Sequence, residues 1–388
     1  MSTVVILGGS LGGLAVTHRL LKYTLPHEPN LKVILITKVT HPHLPPPIPS
    51  SFISQNTHFY WNVASIRAVI PGVLTDDQIL QPIEPGLAQY PANSVEFILG
   101  EVTSLDASSK TLHVSTAQEP RTVTYNYLVI ATGSTSKSPS LPWKASSTHE
   151  ACLTSLHTTA ENIKNASHIV IAGAGATGVE LSGEIRFAFP DKTVLLLSAD
   201  EQLLGGDSIA SAAERELVKL GVTIRKEVRV SGAEERGERT VVKLDSGEEI
   251  ETELYLPTMG FVPNTAYLPD GFLNERRYVD VNEYMGVAAT NGDGIWAVGD
   301  AVSKPRAGFL ITEAQAAGVA RNIDLVLRGK EQQVVHGPPL DIFICSTGRS
   351  RAAGRFGFVP IPSLAAWIGK GRTLGIDRTK KYVDGSMW

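Results

Sequence analysis

A chain of 388 residues exceeds the roughly 100–200 of a single domain, so two or three domains are expected. Its net charge of -4, on an ordinary globular balance of 43% hydrophobic and 19% charged residues, argues against nucleic-acid binding, which depends on neutralising phosphates. Cys152 and Cys345 stand far apart and outside any CxxC pair, which disfavours both a disulfide scaffold and a thiol relay. The chain opens without a basic lead-in or cleavage region and contains no run of roughly 18 apolar residues, so neither a signal peptide nor a membrane span is expected. Ser2 stands where N-myristoylation requires Gly.

In chain order, residues 3–7 form a β-branched apolar run that meets glycines at once, and 14–23 carry apolar residues at helical spacing. This is strand, glycine turn, helix. Residues 32–36 read as the second strand. The proline-rich stretch 41–50 cannot pair as a central strand and reads as an exposed loop or extended polyproline segment. Further strands are expected at 95–102 and 123–132. The opening grammar returns at 168–172, followed by Gly173-Ala174-Gly175 and a helical stretch to 188, then strands at 193–198, 222–230 and 240–244. A last buried strand, 294–298, ends at Gly299-Asp300. Alternating strands and helices predict an α/β fold: two Rossmann-like three-layer dinucleotide-binding domains plus a small C-terminal α+β domain.

The first glycine cluster, Gly8-Gly9-Ser10-Leu11-Gly12-Gly13, is a variant of GxGxxG with Ser10 at the second glycine position. Gly8 suits a tight turn, Gly13 suits close packing of helix on strand, and the helix start offers N–H groups to a pyrophosphate. No acid ends the second strand, where Thr37-Lys38 stand instead. The second cluster, with Gly173, Gly175 and Gly178, matches GxGxxG completely and adds Glu180. Its partner strand ends in Ser198-Ala199-Asp200, with neither a terminal acid to favour NADH nor an arginine for the 2′-phosphate of NADPH. By itself Glu180 is equally readable as a helix carboxylate near the favourable N-terminal dipole.

Residues 4–13, the stretch Tyr127-Leu128-Val129-Ile130-Ala131-Thr132-Gly133-Ser134, and segments 173–180, 260–264 and 294–300 occur in the order of the pyridine nucleotide-disulfide oxidoreductase superfamily, which the chain resembles over nearly its whole length. Closer still, His58-Phe59-Tyr60-Trp61-Asn62, then Arg67-Ala68, and later Pro362-Ser363 with Lys370-Gly371-Arg372, are similar to the apoptosis-inducing factor 2 (ferroptosis suppressor) branch, especially its fungal members. That resemblance implies an FAD-dependent NAD(P)H oxidoreductase that reduces quinones. It implies FAD on Gly8, Gly9, Ser10, Gly12 and Gly13, with Arg67, Val102, Ala131, Thr132 and Gly133 also at the cofactor, Asp300 on the ribityl chain, and Ala314 and Gln315 near the pyrimidine end. A helix N-cap is the alternative for Asp300. NADH or NADPH is expected on Gly173, Gly175 and Gly178, with Glu180 near the nicotinamide and Lys370 near flavin or quinone. A solvated surface lysine is the alternative for Lys370.

The implied domains are an FAD domain of 1–145 and 258–335, an NAD(P)H domain of 146–257 and a C-terminal domain of 336–388. Residues 331–388 hold eight Lys or Arg against four Asp or Glu. Their mixture of apolar and basic positions after residue 358 fits a membrane surface, a helix covering the flavin domain, or a dimer face. The expected protein is a monomer or homodimer, in the cytoplasm or peripheral on a membrane or lipid droplet. The rival readings are a flavoprotein oxidase or dehydrogenase of a specialised metabolite, and an FAD-bound apoptosis-related effector without turnover.

Overall fold

The computed structural model describes residues 2–38, 57–145, 148–290, 294–303 and 308–388. The proline-rich stretch at 41–50 lies outside the described residues. The opening β-branched run forms the strand Ser2–Leu7, whose residues Val4 to Leu7 are fully buried. It lies between Leu31–Thr37 and Tyr127–Ile130, parallel to both. Val95–Asp106 and Ile295–Ala297 extend this core outward in parallel. Strands covered on both faces cannot alternate polar with apolar, which is why these segments read as continuous apolar runs. The hairpin Thr111–Thr116 and Arg121–Thr124 adds two antiparallel strands at one edge. Helix Leu11–Arg19 follows the first glycine turn and packs against the long helix Phe309–Leu327.

A second sheet, wholly parallel, runs Thr223–Arg225, Thr193–Leu197, His168–Ala172, Leu254–Pro257. Its glycine turn opens the helix Ala176–Ala188. Short antiparallel strands Ser134–Ser136 and Phe261–Pro263 carry the chain between the two sheets. A third layer of strands, Ile342–Ser346, Ala352–Phe356 and Val359–Ile361, is antiparallel.

Two expected strands are each broken in two. The run 123–132 divides at Tyr125-Asn126, where the chain leaves the antiparallel hairpin and joins the parallel core; the amide of Asn126 donates to the Thr3 carbonyl (2.9 Å) and its side chain accepts from the Thr3 amide (2.7 Å). The run 222–230 breaks because Glu227 takes a left-handed conformation, with φ at +58°, before Val230–Arg236 begins.

After the third sheet the C-terminal chain packs onto the first domain through aromatic rings. Tyr382 stacks on Phe59 with centroids 5.4 Å apart, and the Trp61 indole donates to the Leu374 carbonyl (2.8 Å). Trp388 stacks on His18, and Lys22 donates to the Gly385 and Trp388 carbonyls. Burial, seconded by the charge of Lys22, holds His18 down at about 4 against the Val383 backbone, so it is neutral at pH 7 and shares a hydrogen bond with Tyr90 (2.8 Å). An unfolded histidine titrates near 6.5, so between there and pH 4 the unfolded chain binds a proton that the folded chain refuses, and stability falls as pH falls. Thermal melts should show a loss of roughly 3 kcal/mol from this group across that window. The Gln replacement at His18 should flatten that part of the profile, and an unaltered profile would contradict the assignment.

Candidate functional site

Both glycine turns open onto one cavity of about 1910 Å³. At the first turn, Gly8 has φ at +109° and any Cβ there would collide with the Ala131 carbonyl. A Cβ on Gly13 would overlap the Gly8 carbonyl oxygen, so helix and strand touch backbone to backbone. Gly8, Gly9, Ser10 and Gly12 line the cavity, whereas Gly13 acts behind it as a packing residue. Val102 lines the far end beside Glu101. Lys38, where a ribose-binding acid was missing, pairs with Glu101 (3.0 Å), so a carboxylate arrives from the neighbouring strand.

Ala131, Thr132 and Gly133 line the wall between the sheets. Asn264 fixes this segment: its amide nitrogen donates to the Thr132 carbonyl, and the Thr132 hydroxyl donates to the Asn264 carbonyl, both at 2.8 Å. Asp300 also faces the cavity, in the short turn Gly299–Ala301, so it is not the N-cap that precedes a helix. Its carboxylate accepts from Lys144 (2.5 Å) and Ser134 (3.1 Å). Lys144, absent from the sequence expectations, lies beside Trp143, whose indole is tied to the Pro257 carbonyl (2.8 Å).

Two expectations are corrected here. Ala314 and Gln315 do not line the cavity: they sit a turn inside the Phe309–Leu327 helix, and Gln315 accepts the Gly299 amide (2.8 Å). The first turn, Gly308 to Thr312, lines the cavity in their place. Arg67 does not line it either. It is buried behind the wall on Glu184, where its guanidinium is fully engaged.

At the second turn, a Cβ on Gly178 would overlap the Gly173 carbonyl oxygen, repeating the packing of Gly13 on Gly8. Gly175, Ala176 and Thr177 face the cavity, and Gly175 has nothing within 4 Å of where a Cβ would stand. Gly173 makes the turn with φ at +102°. Glu180 and Lys370, 190 residues apart in sequence, meet at the cavity wall with Nζ 2.7 Å from Oε1. The same oxygen accepts the Ser346 amide (2.9 Å), and Lys370 also donates to the Ile344 carbonyl (3.0 Å). Lys370 is therefore not a solvated surface lysine. Burial is the largest influence and would lower the Lys370 ammonium, but Glu180 and Cys345 together more than offset it and the net shift is upward. Burial, reinforced by Glu180, drives the adjacent Cys345 thiol well above the ordinary range, so it is a protonated bystander.

At the end of the Thr193–Leu197 strand the nearby cations are engaged: Arg225 grips Glu248 with both terminal nitrogens (2.7 and 2.8 Å), and Lys226 pairs with Glu214 (3.1 Å). Asp200 and Glu201 line a small hollow beside them.

The family model described as pyridine nucleotide-disulphide oxidoreductase matches residues 2–320. Oxidoreductase ptaL of Pestalotiopsis fici is 31% identical, covering 100% of both chains. Human ferroptosis suppressor protein 1 is 24% identical over 98% of this chain and 95% of its own. Among solved structures, the sulfide:quinone oxidoreductase of Aquifex aeolicus shares the fold with a TM-score of 0.74 at 18% identity, over 99% of this chain and 92% of that one.

The two helix-start glycines of the second turn should separate folding from binding. Gly175→Ala should melt within a few degrees of wild type yet weaken the nicotinamide nucleotide roughly tenfold or more, because its methyl enters the cavity. Gly178→Ala should lose folded yield. Calorimetry and NADH titration check both, and a Gly175→Ala protein that binds normally would displace the nucleotide from this turn.

Proposed function

Because the chain belongs to the pyridine nucleotide-disulphide oxidoreductase family, we infer that it is an FAD-dependent enzyme that accepts hydride from NADH or NADPH and passes the electrons to a small acceptor of the quinone class. The observation that carries this reading is the shared cavity, which has one glycine turn and Asp300 at one end and the second turn with Glu180 and Lys370 at the other. FAD, when bound, supplies the two-electron chemistry, and the protein supplies orientation and electrostatics.

In this reading residues 1–145 and 258–335 hold FAD, 146–257 hold the nicotinamide nucleotide, and 336–388 close the cavity. The N–H groups at Gly9 to Gly12 and the positive end of the Leu11–Arg19 helix would receive a pyrophosphate. Glu101 and Val102 would face the adenosine, Asp300 the ribityl hydroxyls, and the first turn of the Phe309–Leu327 helix the pyrimidine edge. All of these positions line the cavity. The corresponding start of the Ala176–Ala188 helix would receive the second pyrophosphate. With Arg225 and Lys226 already held by carboxylates and Asp200 and Glu201 nearby, a 2′-phosphate would meet more acid than base, which favours NADH over NADPH.

Lys370 spends two N–H bonds on Glu180 and Ile344, and among the described residues the third is left to donate to a carbonyl oxygen in the cavity. The raised proton affinity of Lys370 keeps it charged near neutral pH, able to stabilise negative charge on a quinone oxygen or to hand it a proton. Phe343, Ile344 and Ile368 give that part of the wall an apolar surface suited to a flat, lipophilic acceptor. Anaerobic mixing of the flavin-loaded protein with each nicotinamide should bleach the flavin faster with NADH. Replacing Glu180 with Gln should slow this step about tenfold to a hundredfold. A colourless protein that refuses FAD would end this reading.

The turn Trp367–Gly371 that brings Lys370 to the cavity also exposes apolar surface outward. Phe358 is 100% exposed, Val359 65%, and Leu364 and Ile368 each 58%. Among the described residues no helix is long and apolar enough to cross a membrane. We propose peripheral contact through this patch, in a segment rich in Lys and Arg, giving a lipophilic acceptor a short path to the cavity. Flotation with anionic liposomes should recover the wild type, whereas the F358S/L364S double variant should stay at the bottom of the gradient while its flavin still reacts with NADH.

A further inference from the structure

We propose that Arg67 and Glu184 are positioning residues that set Lys370 against Glu180; this rests on the reading of the cavity given above. Arg67 is 3% exposed and the Glu184 carboxylate is fully buried. The guanidinium donates through Nε (2.9 Å) and Nη2 (2.5 Å) to Glu184 Oε1, through Nη1 to the Arg372 carbonyl (2.8 Å), and through Nη2 to the Gly371 carbonyl (2.7 Å). Three distant parts of the chain therefore meet on one planar group.

Both partners of the cavity pair are held by this group from behind. Glu184 lies one helical turn after Glu180 on the Ala176–Ala188 helix, so the two carboxylates share a face. Gly371 and Arg372 directly follow Lys370, at the end of a wide turn in which the Arg372 amide reaches back five residues to the Trp367 carbonyl. Only a rigid fork of donors can hold two successive carbonyls and a carboxylate in one fixed geometry, and lysine cannot reproduce it. Arg67 itself does not line the cavity and can influence the reaction only through what it holds there: Lys370 along the chain from Gly371, Glu180 through Glu184, and Arg372. Burial raises the proton affinity of Glu184 on balance, and Arg67 followed by Arg349 opposes that rise. Arg349 stands 3.6 Å away at 30% side-chain exposure and can turn to solvent if the carboxylate is removed.

The test is a coupling measurement on flavin-loaded protein. Anaerobic reduction by NADH and reoxidation by a short-chain quinone are timed for the wild type, K370M, the R67M/E184L pair and the triple variant. The pair is replaced together because deleting one member would strand a buried charge. K370M and the pair should each slow the same half-reaction, by about tenfold or more. The triple variant should be no slower than K370M, since a clamp that acts only through Lys370 has nothing left to position. Effects that multiply, or a pair that reacts at the wild-type rate, overturn the proposal. Should the pair not fold, Arg67→Lys keeps a charge for Glu184 without the fork; it should retain most of its thermal stability and still slow the Lys370-dependent step, and a wild-type rate there overturns the clamp as well. A wild type whose flavin is not bleached by NADH, or a K370M indistinguishable from it in both half-reactions, sinks the reading of the cavity and the clamp together. The other failures sink the clamp alone.

Discussion

The structure depends on one close approach made twice. Gly13 lies against the Gly8 carbonyl and Gly178 against the Gly173 carbonyl, at separations that leave no room for a Cβ. That contact draws a helix start down onto the end of a parallel strand and turns its free N–H groups toward the cavity. It also explains why Ser10 replaces a glycine without changing the turn. Ser10 adopts ordinary extended backbone angles (φ -108°, ψ -158°) on the exposed cavity side, while the contacts that demand glycine fall on Gly8 and Gly13.

Much of this frame was legible in the sequence because strands buried on both faces carry long apolar runs, and glycine turns interrupt them at fixed points. The same signal misled where apolar character continued through a turn. Tyrosines stand on both sides of Asn126, and nothing in hydrophobicity marks Glu227 as left-handed. Glu180 could be found because it follows a recognisable glycine turn, and Lys370 because it follows a family-like segment. Their contact could not be, since 190 residues separate them and no local period links them. Arg67 is the instructive error: sequence placed it next to cofactor-binding segments, whereas the fold turns its side chain away from the cavity and onto a second buried carboxylate. Lys144 and Glu101 carry no local signature at all, and only the meeting of strands from different parts of the chain brings them to the cavity.

The C-terminal segment joins these levels. Its aromatic face, centred on Tyr382, packs on Phe59, Trp61 and Phe309, anchoring it to the first domain. Between that anchor and the third sheet lies the wide turn with Lys370, so the position of one ammonium group is set by packing on both sides of it. The exposed apolar residues lie toward the other end of the segment, around Phe358 and Leu364. One short stretch thus lines the cavity, brings Lys370 to it and leaves an apolar surface exposed nearby.

Ion pairs stand at this cavity and behind its wall, among them Lys144–Asp300, Lys370–Glu180 and Arg67–Glu184. Removing charges from water is costly, and a buried pair seldom stabilises a fold more than apolar side chains of similar volume would. Their placement is therefore poorly explained by stability alone. Each pair ties together segments that are remote in sequence, and two of them stand on the helix that begins at the second glycine turn. A pair held by hydrogen bonds from several directions has few alternative geometries, and at a partly buried wall its field is screened less than in open water. A fixed orientation of charge toward the cavity therefore accounts for this arrangement better than a gain in folding energy does.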